Sequence, residues 1–123
     1  MKRVLIVEDQ ADIRKLIRMT LEFGDFEIHE ASDGAFGLRM ANALLPDLAL
    51  VDVMMPGELD GLQVCQAIKS NPALASVKVV LLTALGQARD IEAGQRAGAN
   101  GYLVKPFSPL QLIDTIERLL AAE

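Results

Sequence analysis

Three carboxylates, one hydroxyl and one ammonium carry the chemistry this sequence offers. They are Glu8, Asp9 and Asp52, then Thr83, then Lys105. Each closes a short apolar run. Val4-Leu5-Ile6-Val7 leads into Glu8-Asp9, Leu48-Ala49-Leu50-Val51 into Asp52, VKVVLL over residues 77–82 into Thr83, and Tyr102-Leu103-Val104 into Lys105. A charge at the tip of a buried segment is costly unless it is partnered. Three carboxylates in one place repel each other, and without a cation at least one is driven neutral. A hard divalent ion removes the conflict, because Mg²⁺ takes carboxylate oxygens, a backbone carbonyl, water and a phosphoryl oxygen. Asp52 can then stay ionised and attack phosphorus, giving an acyl phosphate. Lys105 and the Thr83 hydroxyl would hold the transferred oxygens, and the small Ala84 leaves room for them. Taken singly, each residue has a plainer use: an acidic pair at a helix N-terminus, a surface ion pair, a strand-end hydroxyl on backbone. Their arrival together at four strand ends favours a site.

The elements that must bring them together follow from hydrophobic spacing. Apolar runs without polar alternation read as strands buried on both faces. Residues 10–23 have helical spacing, with Ile13, Leu16, Ile17 and Leu21 on the inward stripe and Gly24 as C-cap. Phe26–Ala31 is a more polar strand suited to an edge. Ser32-Asp33-Gly34 starts a helix over residues 35–45 that Pro46 stops, with Leu38, Ala41 and Leu45 inward. Phe36 is expected to pack under a neighbouring loop, with an exposed contact for a partner as the alternative. Asp60 caps a helix to about Ser70, with Leu62, Cys65 and Ile68 inward. Residues 87–97 form a weak helix whose only large apolar residue is Ile91, the candidate for the most movable element. Ser108, Pro109 and Gln111 mark the start of a last helix with Leu112, Ile113, Ile116, Leu119 and Leu120 inward. Five βα units in succession imply a parallel sheet with helices on both faces, so all strand ends share one edge, where ligands of such sheets bind.

Composition narrows the function classes. The 123 residues suit one domain, and at 51% hydrophobic with 4% aromatic the core must be aliphatic. A net charge of −5 argues against a nucleic-acid surface. Arg14, Lys15 and Arg18 read as a solvated helix face or as part of a docking face for an acidic partner. Cys65 and His29, each the only residue of its type, supply neither a disulfide nor a metal set, and Cys65 reads as a small core residue. The first apolar run is too short for a signal-peptide core or a membrane span, so the expected location is the cytoplasm.

With these residues in view, the chain resembles the response-regulator receiver domain of two-component signalling over essentially its whole length. The resemblance rests on Glu8-Asp9, Asp52, Met55-Pro56 with Asp60-Gly61, Thr83-Ala84, Tyr102 and Lys105-Pro106-Phe107. It implies a flavodoxin-like (βα)5 fold with strand order 2-1-3-4-5. It implies Asp52 as phosphoacceptor, Glu8, Asp9, Asp52 and the Met54 backbone carbonyl as ligands of Mg²⁺ or Mn²⁺, and Thr83 and Lys105 as the phosphoryl clamp. It also implies a cis bond before Pro106 and a switch in which Thr83 moves towards the phosphoryl group and Tyr102 turns inward. The implied partners are a sensor histidine kinase or histidine phosphotransfer protein and a downstream effector or fused output domain, met through the fourth helix, fifth strand and fifth helix. The implied activity is self-phosphorylation, not turnover of an outside substrate.

One feature departs from the family: Gly57-Glu58-Leu59 makes the loop after Asp52 one residue longer than is common. Met54 and Leu85, two positions after Asp52 and Thr83, are apolar and cannot align a water, so slow self-dephosphorylation is expected. Three other readings compete. A haloacid-dehalogenase-type phosphatase wants a second carboxylate where Met54 stands. A flavin module wants a phosphate-binding loop where Glu8-Asp9-Gln10 stands. A receiver-like binding module would never be phosphorylated. Whether the chain acts alone, within a relay, or as the front of a longer protein stays open at this stage.

Overall fold

The computed structural model describes residues 1–84 and 88–121. Strands and helices alternate: β1 (Lys2–Val7), α1 (Ala11–Leu21), β2 (Phe26–Ala31), α2 (Gly34–Leu44), β3 (Leu48–Asp52), α3 (Gly61–Ser70), β4 (Lys78–Thr83), α4 (Ala88–Arg96), β5 (Gly101–Val104) and α5 (Pro109–Ala121). The five strands form one parallel sheet in the order β2-β1-β3-β4-β5. Because parallel strands need crossovers, helices cover both faces, and the central strands are apolar on both sides. Every residue of β3 is buried, as are the last four of β1.

Side-chain alternation divides the core in two. Leu5, Val7, Ala49, Val51, Val79 and Leu81 meet Ala41 of α2 and Val64, Cys65 and Ile68 of α3. Val4, Ile6, Leu48, Leu50, Val80 and Leu82 meet Ile17 and Leu21 of α1 and Leu112 and Ile116 of α5. The strand order reverses between β1 and β3, and the crevice at that reversal is where such sheets bind ligands. Register aligns the strand ends there: Val7 pairs with Val51, Asp52 with Leu82 and Thr83 with Val104.

Several local expectations need correction. Leu16 is exposed, and Thr20 takes its place on the buried face of α1 by turning its hydroxyl back to the Leu16 carbonyl at 2.9 Å. Gly24 is not a left-handed cap: α1 closes at Glu22, whose N–H reaches the Arg18 carbonyl, and Gly24 N–H bonds the Leu21 carbonyl. Leu45 is exposed and itself adopts the left-handed conformation (φ 49°) that ends α2, ahead of Pro46. The small residues Gly34, Gly37 and Ala41 form the buried face of α2. Phe36 is exposed, with the Arg39 guanidinium 5.6 Å from its ring centre. In α3, Val64 replaces Leu62 as the fully buried residue. In α5, Leu112, Thr115 and Ile116 are buried, while Ile113, Leu119 and Leu120 are partly covered. Residue 87, the expected start of the weak helix, lies outside the described residues.

Candidate functional site

The carboxyl ends of β1 and β3 bring Glu8, Asp9 and Asp52 together, with one oxygen of each within 4.8 Å of the others. Glu8 is fully buried and Asp52 is 4% exposed. From the end of β5, Lys105 reaches across the edge: its Nζ lies 2.8 Å from Glu8 Oε1 and 3.2 Å from Asp52 Oδ1. The peptide bond between Lys105 and Pro106 is cis, and Lys105 N–H donates to the Thr83 carbonyl at 2.7 Å. Thr83 is 3% exposed; by strand alternation it shares the face of Leu81 and Tyr102, opposite the face to which Glu8 and Asp52 belong.

Backbone donors fix the acids. Gln10 N–H donates to Glu8 Oε2 at 3.1 Å, and Met54 N–H to Asp52 Oδ1 at 3.3 Å. Among the described residues, Asp9 Oδ1 is buried without a hydrogen-bond partner, and Glu8 Oε1 has the Lys105 ion pair alone. A buried carboxylate oxygen left so is a strong acceptor that a cation could satisfy. Burial, then the charge of Glu8, push the Asp52 carboxyl up to about 7 against the opposing pull of Lys105. For Asp9, burial also opposes the charge, but contacts with the Asp52 and Glu8 side chains, its own backbone N–H and the nearby Lys105 ammonium outweigh it, and its pKa falls below the ordinary carboxylate value. Burial works against the Lys105 ammonium too, yet Glu8 and Asp52 hold its pKa above that of a free lysine. One ammonium among three carboxylates leaves the cluster negative. Oxygen ligands, excess negative charge and an unpartnered oxygen fit Mg²⁺ or Mn²⁺.

The next loop determines how Asp52 is presented. α3 starts at Gly61, where a Cβ would lie 2.0 Å from the Asp52 carbonyl oxygen, so only glycine lets the helix approach this closely. Gly61 N–H donates to Val53 O at 3.0 Å, and Asp60 and Gln63 form a capping box. Between these fixed points the longer loop turns outward. Met54 is 75% exposed, and Gly57 takes φ +104° with open space where a Cβ would stand. A cavity of about 440 Å³ is lined by Ser32, Asp33, Gly34, Ala35, Pro56, Gly57 and Glu58, and by none of the three clustered acids. Leu85 lies outside the described residues.

Tyr102 rests against α4. Its hydroxyl donates to the Ile91 carbonyl at 3.1 Å, and a Cβ on Gly94 would lie 2.6 Å from its ring. Sequence reasoning missed two supports. Gly61 was legible only as part of an Asp-Gly helix start. Arg14 stood in a basic group read as solvated or docking, yet its Nη1 donates to the backbone carbonyls of Glu8 and Asp9 at 2.8 and 3.3 Å. Arg18 is likewise engaged, on Glu30, so of the three basic residues Lys15 is the exposed one. Burial raises the Cys65 thiol to about 11, and its Sγ lies 3.6 Å from the Ala97 carbonyl, as suits a core residue.

Comparison with known proteins places this geometry. The family model of the response regulator receiver domain matches residues 4–117. The DNA-binding dual master transcriptional regulator RpaA of Synechocystis is 38% identical over 120 residues, which are 98% of this chain and 49% of that protein. The chain thus spans about half the length of the curated relatives it matches. The Vibrio cholerae chemotaxis protein CheY4 superposes with a TM-score of 0.91 at 31% identity, covering 97% of this chain and 98% of its own. The receiver domain of the Pseudomonas aeruginosa sensor histidine kinase PA1611, solved with a magnesium ion coordinated in its active-site cleft, gives a TM-score of 0.90 at 28% identity and covers 98% of each chain. With the fold, the clustered acids and the sequence match in agreement, the chain belongs to the response regulator receiver domain family.

Proposed function

We propose that Asp52 accepts a phosphoryl group from a phosphohistidine of a sensor kinase or phosphotransfer protein, and that the resulting change is passed to an effector or output domain. The observation that carries this reading is the cluster itself: three carboxylates within 4.8 Å of one another, with the Lys105 ammonium touching two of them. In the transfer, an Asp52 Oδ–P bond forms as the imidazole N–P bond breaks, and the imidazole leaves with the electron pair of that bond. The attacking carboxylate must be ionised, which its raised pKa opposes in the bare protein. Glu8, Asp9, Asp52 and the Met54 carbonyl would hold Mg²⁺ or Mn²⁺, which supplies positive charge that keeps Asp52 ionised and offsets charge on the phosphoryl oxygens. Lys105, already paired to Asp52, is placed to follow those oxygens, while Thr83, on the opposite face of the neighbouring strand, would have to turn its hydroxyl towards them.

The exposed apolar Met54 offers no group to hold an attacking water, which favours a long-lived acyl phosphate. A phosphorylated half-life of only seconds in Mg²⁺ buffer would overturn that part. The protein then acts stoichiometrically, as a switch rather than an enzyme. Thr83 moving towards the phosphoryl group and Tyr102 turning in from α4 form the relay, and the Tyr102–Ile91 hydrogen bond is what couples it to α4.

Incubation with a small phosphodonor and Mg²⁺ should add one phosphoryl group by intact mass, and Asp52→Ala should abolish it. Equal modification of Asp52→Ala would refute the assignment, and turnover of many equivalents of a phosphate ester would favour a phosphatase instead.

A further inference from the structure

Two arginines and a glutamate behind the acidic loop form a chain of contacts that the phosphoacceptor chemistry does not by itself use. Glu30, near the end of β2, has one oxygen 3.3 Å from Arg14 Nε and the other bonded by Arg18 Nε. Held from behind, Arg14 turns Nη1 onto the carbonyl oxygens of both Glu8 and Asp9. On the other side of the same peptide run, Glu8 N–H donates to the carbonyl of Ala31, the residue after Glu30, at 3.1 Å. The residue that supplies the most deeply buried acid is therefore gripped at its N–H by β2 and at its carbonyl by a guanidinium that β2 anchors.

From this geometry we infer that Arg14, braced by Glu30, is a positioning residue for divalent-cation binding: it fixes the peptide planes after Glu8 and Asp9 so that both carboxylates face the same point. This inference rests on the proposed cation site. With both carbonyls held on one guanidinium nitrogen, a carboxylate oxygen of Glu8 and one of Asp9 lie within 4.8 Å of each other and of one from Asp52. A guanidinium can serve both carbonyls and the Glu30 carboxylate at once because its N–H groups diverge in one plane; a lysine ammonium lacks that fork. Outer partners that orient metal ligands in this way typically affect metal affinity by about 10–100-fold.

The sign of the effect separates positioning from simple electrostatics. Arg14 is a positive charge close to a cation site. If it acted only through its charge, Arg14→Met would tighten cation binding. If it positions the ligands, the same change weakens binding.

The test is a Mn²⁺ titration followed by electron paramagnetic resonance on the intact chain, for wild type, Arg14→Met, Arg14→Lys and Glu30→Gln. Arg14→Met should bind Mn²⁺ about ten-fold more weakly, with Arg14→Lys in between and Glu30→Gln weakened less. The Mg²⁺ concentration for half-maximal phosphorylation should rise by the same factor, while the rate at saturating Mg²⁺ stays near that of wild type. Should Arg14→Met fail to fold, Arg14→Lys and Glu30→Gln carry the test. Unchanged or tighter Mn²⁺ binding in the folded variants overturns the role of Arg14 and leaves the cation site standing. Failure of the wild type itself to take up Mn²⁺ overturns both.

Discussion

Helices α3 and α4 cover the same face of the sheet but are held by different means. α3 inserts Val64, Cys65 and Ile68 into the core with no exposure, begins on Gly61 against the Asp52 carbonyl, and is closed by a capping box. Near its end the Lys69 ammonium donates to the carbonyls of Ala75 and Val77 at 3.0 and 2.9 Å and to Asn100 Oδ1 at 3.2 Å. Over residues 91–96, α4 buries only Gly94; Ile91 is half-buried, and the Tyr102 hydroxyl ties the Ile91 carbonyl. A helix locked by branched side chains can move only by opening a cavity. A helix seated by a glycine on a tyrosine ring can shift while the rest of the core stays packed. Asp52 is coupled to the first helix through Gly61 and Tyr102 to the second through Ile91, so under the proposed function the fixed helix would hold the chemistry and the loosely seated one would report it.

The widest gap should appear between two isoleucines. Ile68→Ala should cost about 4 kcal/mol through loss of buried methylenes and the cavity left behind, while Ile91→Ala should cost about 1 kcal/mol because its site is half open. Urea unfolding measures both, and equal losses would erase the contrast. Gly61→Ala should cost about 3 kcal/mol, because its Cβ meets backbone that cannot turn aside. It should also weaken Mn²⁺ binding by displacing Asp52, and normal binding in a destabilised variant would separate α3 from the site.

The fixed side also carries the electrostatic strain. The folded Asp52 carboxyl titrates near 7, above its ordinary value, so the folded state retains a proton that the unfolded state releases. Its contribution to stability is full below the unfolded value and is lost as pH rises through about 7. In EDTA the Tm should fall by about 5 °C between pH 5 and pH 8, less so in Asp52→Asn, and Mg²⁺ should restore it at pH 8. A flat profile for the metal-free protein would place the strain elsewhere. The smallest effect is expected at the tyrosine. Tyr102→Phe should cost about 1 kcal/mol or less, yet speed amide exchange in α4 selectively. Equal acceleration in α3 and α4 would show that the hydroxyl does not hold α4 in particular.

Much of the fold was legible because buried parallel strands are unbroken apolar runs, and each run here ends in a polar residue. What failed was finer. Leu16 and Leu45 fit helical periodicity but sit at edges where the neighbouring element leaves them uncovered, and period alone cannot see the neighbour. On α2, glycines and an alanine make the buried face because the helix lies close to the sheet, which a search for large apolar residues passes over. Arg14 and Arg18 carried the ordinary signature of a solvated face, since their partners lie on β2 and in the preceding loop.

The sequence by itself determined the alternation of strand and helix, the acids at the ends of β1 and β3, and the mutual repulsion that a cation among them would relieve. Those follow from local pattern and from the cost of gathering like charges. Tertiary structure decided which acid oxygen is left without a partner, that Lys105 reaches Glu8 as well as Asp52, and that Arg14 turns inward to hold the acidic loop. Each of these is a contact between residues on different elements. Only the sheet's strand order and register bring such residues within reach of each other.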